Sequence, residues 1–217
     1  MKTAFRSVRF AAVLGTAVVF GAAAAQAETL NYTVTRDGST IGTHSVTIDA
    51  NGGATQVAID TDIEVKVLFV TAYKFKHSSR EAWQNGQLMS ITSTTDDDGT
   101  PKELTVRAEN GRLTVDSVVK GQDRRQYATV GTLPASLWNP DTVKQGELLN
   151  TLDGQMMQVR IEDKGAATVE AGGKSVDAHH YAISGELTRE LWFDAQGRLV
   201  RMRFPDKTNS EIVYALN

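Results

Sequence analysis

From residue 28 onward, apolar and polar side chains alternate with a period of two, the pattern of strands with one covered face. Leu30, Tyr32 and Val34 alternate with Asn31, Thr33 and Thr35. Asp37-Gly38 then supplies a turn, and His44, Val46 and Ile48 resume the alternation, which predicts a hairpin. The clearest run places Val57, Ile59, Thr61, Ile63, Val65, Val67 and Phe69 on one face, with Gln56, Asp60, Asp62, Glu64 and Lys66 on the other. At ~3.3 Å per residue such a strand exceeds about 40 Å, a length at which strands bend or bulge.

Further hairpins follow. Trp83 and Leu88 flank Asn85-Gly86, and Leu104, Val106 and Leu113, Val115 flank Asn110-Gly111; both dipeptides favour the tight turn that matches strand twist. Asp96-Asp97-Asp98-Gly99 marks a loop. Residues 155–162, 175–183, 187–194, 198–204 and 211–216 read as more strands, roughly twelve in all. One helical signal interrupts them: Asn139 suits an N-cap, Pro140 the first helical position and Asp141 the positive end of the dipole, with Gly146 limiting its length. Leu133 to Pro140 is expected to cross between two groups of strands. The pattern predicts a mainly β fold, an antiparallel curved sheet or partly open barrel with at most one short helix; a flat two-layer sandwich is the alternative.

The first 27 residues break the alternation. Lys2, Arg6 and Arg9 precede an uncharged apolar run, Phe10 to Ala24, and Ala25-Gln26-Ala27 offers a small-x-small cleavage site. That is the layout of a signal peptide, and the run is shorter than the ~20 residues a membrane-spanning helix needs. Two segments are expected: a leader over 1–27, cleaved after Ala27, and one β domain over 28–217, periplasmic and without a transmembrane helix. The leader carries three of the 23 Lys and Arg and none of the 26 Asp and Glu, so the remainder has a net charge of −6 with His neutral. This argues against sequence-independent nucleic-acid binding, which needs cations to displace counterions. The chain has no cysteine, so the fold relies on its core alone and a lipid-modified cysteine is excluded.

The chain also resembles an uncharacterised family of exported Gram-negative β-rich proteins, a domain of unknown function. The likeness is carried by Arg36-Asp37-Gly38 with Ile41-Gly42-Thr43-His44, by Tyr73-Lys74-Phe75-Lys76-His77 with Glu81-Ala82-Trp83, and by Leu133-Pro134 and Trp138-Asn139. Leu148-Leu149-Asn150-Thr151, Asp153-Gly154, Leu191-Trp192-Phe193-Asp194 and Gly197-Arg198-Leu199-Val200 complete it. The family supplies no catalytic residue. Its pattern is similar to open-barrel envelope carriers of lipoproteins, which is a likeness of fold and not of function.

Candidate chemistry is sparse. His179-His180 are adjacent in a strand and point to opposite faces, and His44 and His77 stand alone between polar neighbours, so no metal-chelating spacing is present. The three consecutive aspartates lack the alternating ligands of a calcium loop. No G-x-S-x-G motif occurs, and the chain has no cysteine nucleophile, which leaves no catalytic residue, metal or cofactor to name. Apolar surplus is the stronger signal. Around Val67 and Phe69, Leu68 and Val70 make both strand faces apolar, and such a segment needs a cover on both sides: its own loop with Trp138, a bound ligand or a partner. Candidate ligand-binding residues are therefore Val67, Leu68, Phe69, Val70, Tyr73, Phe75, Trp83, Trp138 and Trp192. The expected role is non-catalytic: binding of a lipid or other amphipathic molecule by the curved sheet. A protein–protein or structural module of the envelope is the alternative, and a hydrolase the least favoured.

Overall fold

The computed structural model describes residues 27–217; the expected leader, apart from Ala27, lies outside the described residues. The described residues form fifteen strands: β1 (Glu28–Arg36), β2 (Ser39–Asn51), β3 (Ala54–Val67), β4 (Val70–Gln84), β5 (Gln87–Asp97), β6 (Thr100–Glu109), β7 (Arg112–Val119), β8 (Gln122–Thr129), β9 (Leu133–Pro134), β10 (Glu147–Leu149), β11 (Met156–Ala171), β12 (Lys174–Gly185), β13 (Arg189–Phe193), β14 (Leu199–Pro205) and β15 (Glu211–Leu216). The count exceeds the expected twelve because β8 is an edge strand with few apolar residues, while β9 and β10 are only two and three residues long. The helical signal yields one 3-10 turn, Pro140–Lys144, with Asn139 accepting from the Asp141 amide as its cap. No helix among the described residues is long and apolar enough to cross a membrane.

All strands belong to one sheet in the order β8-β7-β6-β5-β4-β3-β2-β1-β15-β14-β13-β12-β11-β10-β9. Every pairing is antiparallel except β9 with β10. The two edges, β8 and β9, do not pair, although only three residues separate them in the chain. The sheet is thus a barrel left open along one seam. Dipeptides that tolerate positive φ make the turns where the sequence places them: Asp37-Gly38, Asn85-Gly86, Asp98-Gly99 and Asn110-Gly111.

Alternation sends Leu30, Tyr32 and Val34, Val57 and Ile59, Leu104 and Val106, and Leu113 and Val115 to one inner face, where they join a single core. The crossing segment between β8 and β11 fills that face. Its Leu133, Leu137, Leu148 and Leu149 are fully or nearly buried among the strand residues. Ser93 Oγ donates to the Thr151 carbonyl at 2.6 Å, and Gln126 Nε2 donates to the Gly154 carbonyl. Glycine is required at 154, where φ is +75° and a Cβ would stand 2.7 Å from Val115 Cγ1. Gly42 lets β2 lie close on β3: a Cβ there would meet Ile63 Cα at 2.8 Å and collide with the Asp62 carbonyl.

The meander gives the barrel two different ends. At one, Trp138 of the crossing segment meets Trp83 near the end of β4. At the other, β3 and β4 run past their neighbours. Ile63 and Phe75 are the last pair flanked on both sides, by Gly42 of β2 and Asp97 of β5. Beyond them, residues 64–74 form strand pairs only with each other and make an arm roughly 15 Å long, held at its base by the Asp98 amide donating to the Lys74 carbonyl at 2.8 Å.

Candidate functional site

The arm carries the most exposed large apolar side chains among the described residues. Val67 is 54 % exposed, Leu68 88 %, Phe69 100 % and Val70 68 %. The expected strand does not continue to Phe69. It bulges between Val65 and Lys66 and ends at Val67, and Leu68 and Phe69 form a two-residue turn at φ +48° and +69°. Leucine and phenylalanine are poor choices there, because a Cβ makes the left-handed region unfavourable by roughly 1–2 kcal/mol per residue. Neither side chain is compensated by burial. Nothing in the described chain covers the tip; Trp138 packs elsewhere. Below the tip the arm is polar and fixed: Thr71 Oγ1 donates to Glu64 at 2.7 Å, Lys66 pairs with Glu64 at 3.0 Å, and Tyr73 donates to Asp97 at 2.9 Å.

The base of the arm opens onto a polar row inside the barrel. Cross-strand register aligns Tyr32, His44, Thr61, His77 and Thr95 on five consecutive strands. His44 Nδ1 lies 2.8 Å from Thr61 Oγ1, and His77 Nδ1 lies 2.8 Å from Thr95 Oγ1. Burial pushes both imidazoles down to about 4, so both are neutral at ordinary pH. Sequence reasoning treated these histidines as isolated; counting inward positions across paired strands is the signal that would have joined them. The row meets an aromatic group on β15 and β14, the next strands of the sheet on the other side of β1. Tyr214 stands 5.3 Å from His44 and 6.0 Å from Phe204, ring centre to ring centre, and Arg189 lies 3.7 Å over the Phe204 ring.

The sequence-predicted residues fall into three places. Val67, Leu68, Phe69, Val70, Tyr73 and Phe75 share the arm. Trp83 and Trp138 meet edge to face, 5.5 Å apart, at the opposite end of β4, and both are withdrawn into the core. Their indole N–H groups donate to the same oxygen of Glu81, each at 2.9 Å. Glu81 is buried, and desolvation raises its carboxyl above the usual range. This joint ties the crossing segment to β4. Trp192 lies outside the barrel, stacked on His180 at 4.4 Å in a small cluster with Ala171, Ala178 and Val200. On the last hairpins Arg203 pairs with Glu190 and Glu211, and Arg198 with Asp194.

Residues 32–217 match the model of a family described as a domain of unknown function, DUF6134. Among solved structures, the chain is similar to the crystal structure of a β-barrel-like protein of domain of unknown function DUF1849 from Brucella abortus. That likeness has a TM-score of 0.60 at 10 % identity and covers 87 % of this chain and 94 % of the other. At that identity it speaks of the fold alone. No curated protein matches the chain.

Proposed function

The chain belongs to the family of domain of unknown function DUF6134, and from that premise we propose that it is an exported, non-catalytic protein of the periplasm that binds amphipathic, lipid-like molecules at the arm end of its open barrel. One observation carries the reading: four consecutive apolar residues, Val67 to Val70, stand in water at the tip of an arm that projects beyond the barrel. Large apolar side chains held together in solvent mark contact with another apolar body. Withdrawing Leu68 and Phe69 from water is worth about 3–6 kcal/mol, or roughly two to four decades of affinity. The leader expected over 1–27 supports the compartment. The barrel core favours the arm end over the middle of the concave face, because the crossing segment already occupies that face.

Native mass spectrometry of the protein purified from its own periplasm tests this. The expected result is a co-purifying amphipathic molecule that is lost in the Leu68→Ser/Phe69→Ser variant. Consistently bare wild-type protein would refute it. The same tip also suits a groove on an envelope protein; cross-linking from the arm in cells to one discrete protein band, with no bound small molecule, would favour that second reading.

A further inference from the structure

Arg189 is the inward cation that the fold leaves without an acid. It opens β13 opposite Ile183, and the alternation that buries Leu191 and Phe193 turns it to the inner face. Its guanidinium carbon lies 3.7 Å over the Phe204 ring, and the group donates to the Thr188 carbonyl at 2.7 Å. No carboxylate among the described residues pairs with it. Two glutamates share its rim depression of about 410 Å³, but Glu190 and Glu211 are both engaged by Arg203. Beyond the Phe204 ring stands the neutral phenol of Tyr214, whose hydroxyl makes no hydrogen bond to the described residues. Partial burial pushes Arg189 down to about 10, which leaves it a cation at neutral pH, and burial pushes Tyr214 up to about 12. Arg189 is half-buried at the rim, and its forked donors match carboxylate or phosphate oxygens. Apolar surface continues from it, through Phe204 and Pro205 in the same depression.

We propose that Arg189, with Tyr214 beside it, is an anion-binding site: it takes the acidic oxygens of an amphipathic molecule, a carboxylate or phosphate monoester, whose chain lies against Phe204 and Pro205. This rests on the amphipath-binding reading and names the head group that reading leaves open.

Equilibrium binding to the full chain, with each probe below its micelle concentration, tests it. The probes are dodecyl phosphate, dodecanoate, neutral dodecyl maltoside and inorganic phosphate. Wild type is expected to bind both anionic amphiphiles at least about tenfold more tightly than the neutral one. Arg189→Gln should erase that margin while leaving dodecyl maltoside binding in place, which also reports that the variant is folded. Arg189→Lys, which keeps the charge without the fork, should retain part of the margin, and it serves where the glutamine variant does not fold. Equal binding of dodecyl phosphate by wild type and both variants overturns the site and leaves amphipath binding standing. Inorganic phosphate binding as tightly as dodecyl phosphate overturns the amphipathic ligand in favour of a free anion. Wild type that binds none of the four probes overturns the site and the amphipath reading together.

Discussion

Replacing Leu68-Phe69 by Asn-Gly separates the fold from its proposed use. Both residues sit at positive φ, +48° and +69°, in a two-residue turn closed by the Val67–Val70 pair. Asn-Gly is the dipeptide such a turn prefers. Relieving two non-glycine residues of a left-handed conformation is worth roughly 1–2 kcal/mol each. Glycine gives back about 0.5–1 kcal/mol through the freedom it adds to the unfolded chain. At 88 % and 100 % exposure the lost side chains forfeit almost no burial. The variant should therefore be more stable by about 1–3 kcal/mol, a rise in Tm of roughly 2–12 °C for a domain of this size. Differential scanning calorimetry reads the gain, and binding of dodecyl phosphate should fall in the same protein. A variant that melts at or below the wild-type temperature would mean that the tip's apolar residues stabilise the chain, and the argument that strain is held there for contact would collapse.

Stability should fall on acidification through His77. The unfolded imidazole takes its proton near 6.5 and the folded one only near 4, so the folded state binds fewer protons between those values. Its contribution is complete above 6.5 and is lost as pH drops towards 4, amounting to about 2 kcal/mol between pH 7 and pH 5. Urea midpoints should show His77→Asn with a correspondingly shallower pH dependence, and parallel curves would refute the assignment. Glu81→Ala leaves two buried indole N–H groups without their acceptor and should cost about 2–4 kcal/mol. Glu81→Gln keeps an acceptor and should cost less; the reverse order in urea unfolding would contradict the joint. Gly42→Ala drives a Cβ against the β3 backbone and should destabilise by roughly 1–3 kcal/mol, with amide exchange quickening first at Gly42–His44 and Thr61–Ile63.

Much of the architecture was legible because it is written in period two. The alternation of Val57, Ile59, Thr61 and Ile63, and the Asn-Gly and Asp-Gly dipeptides, fix strands, faces and turns locally. The 3-10 turn was legible through Asn139, Pro140 and Asp141. What escaped depends on distant pairing. β8, with Gln122, Asp123, Arg124 and Arg125, is a strand only because β7 offers it a ladder, and β9 and β10 exist only where the crossing segment meets β11. Leu68 and Phe69 read as strand because their apolarity continues the pattern, and nothing in their type announces a turn. His44 and His77 lie 33 positions apart in the chain, so only the register of three strands reveals that they share a row. Nothing in the sequence around Arg189 sets it apart from a surface charge; its face follows only from the alternation that buries Leu191.

The chain has no native cysteine, so Val70→Cys gives a unique attachment point for an environment-sensitive fluorophore on the arm while Leu68 and Phe69 stay in place. Titrating this labelled protein with dodecyl phosphate measures directly whether the tip leaves water when an amphipathic molecule binds. The account predicts a blue shift with rising intensity that saturates, and that is lost when Leu68 and Phe69 are replaced by serine. An emission spectrum that stays that of a water-exposed probe throughout the titration would contradict it.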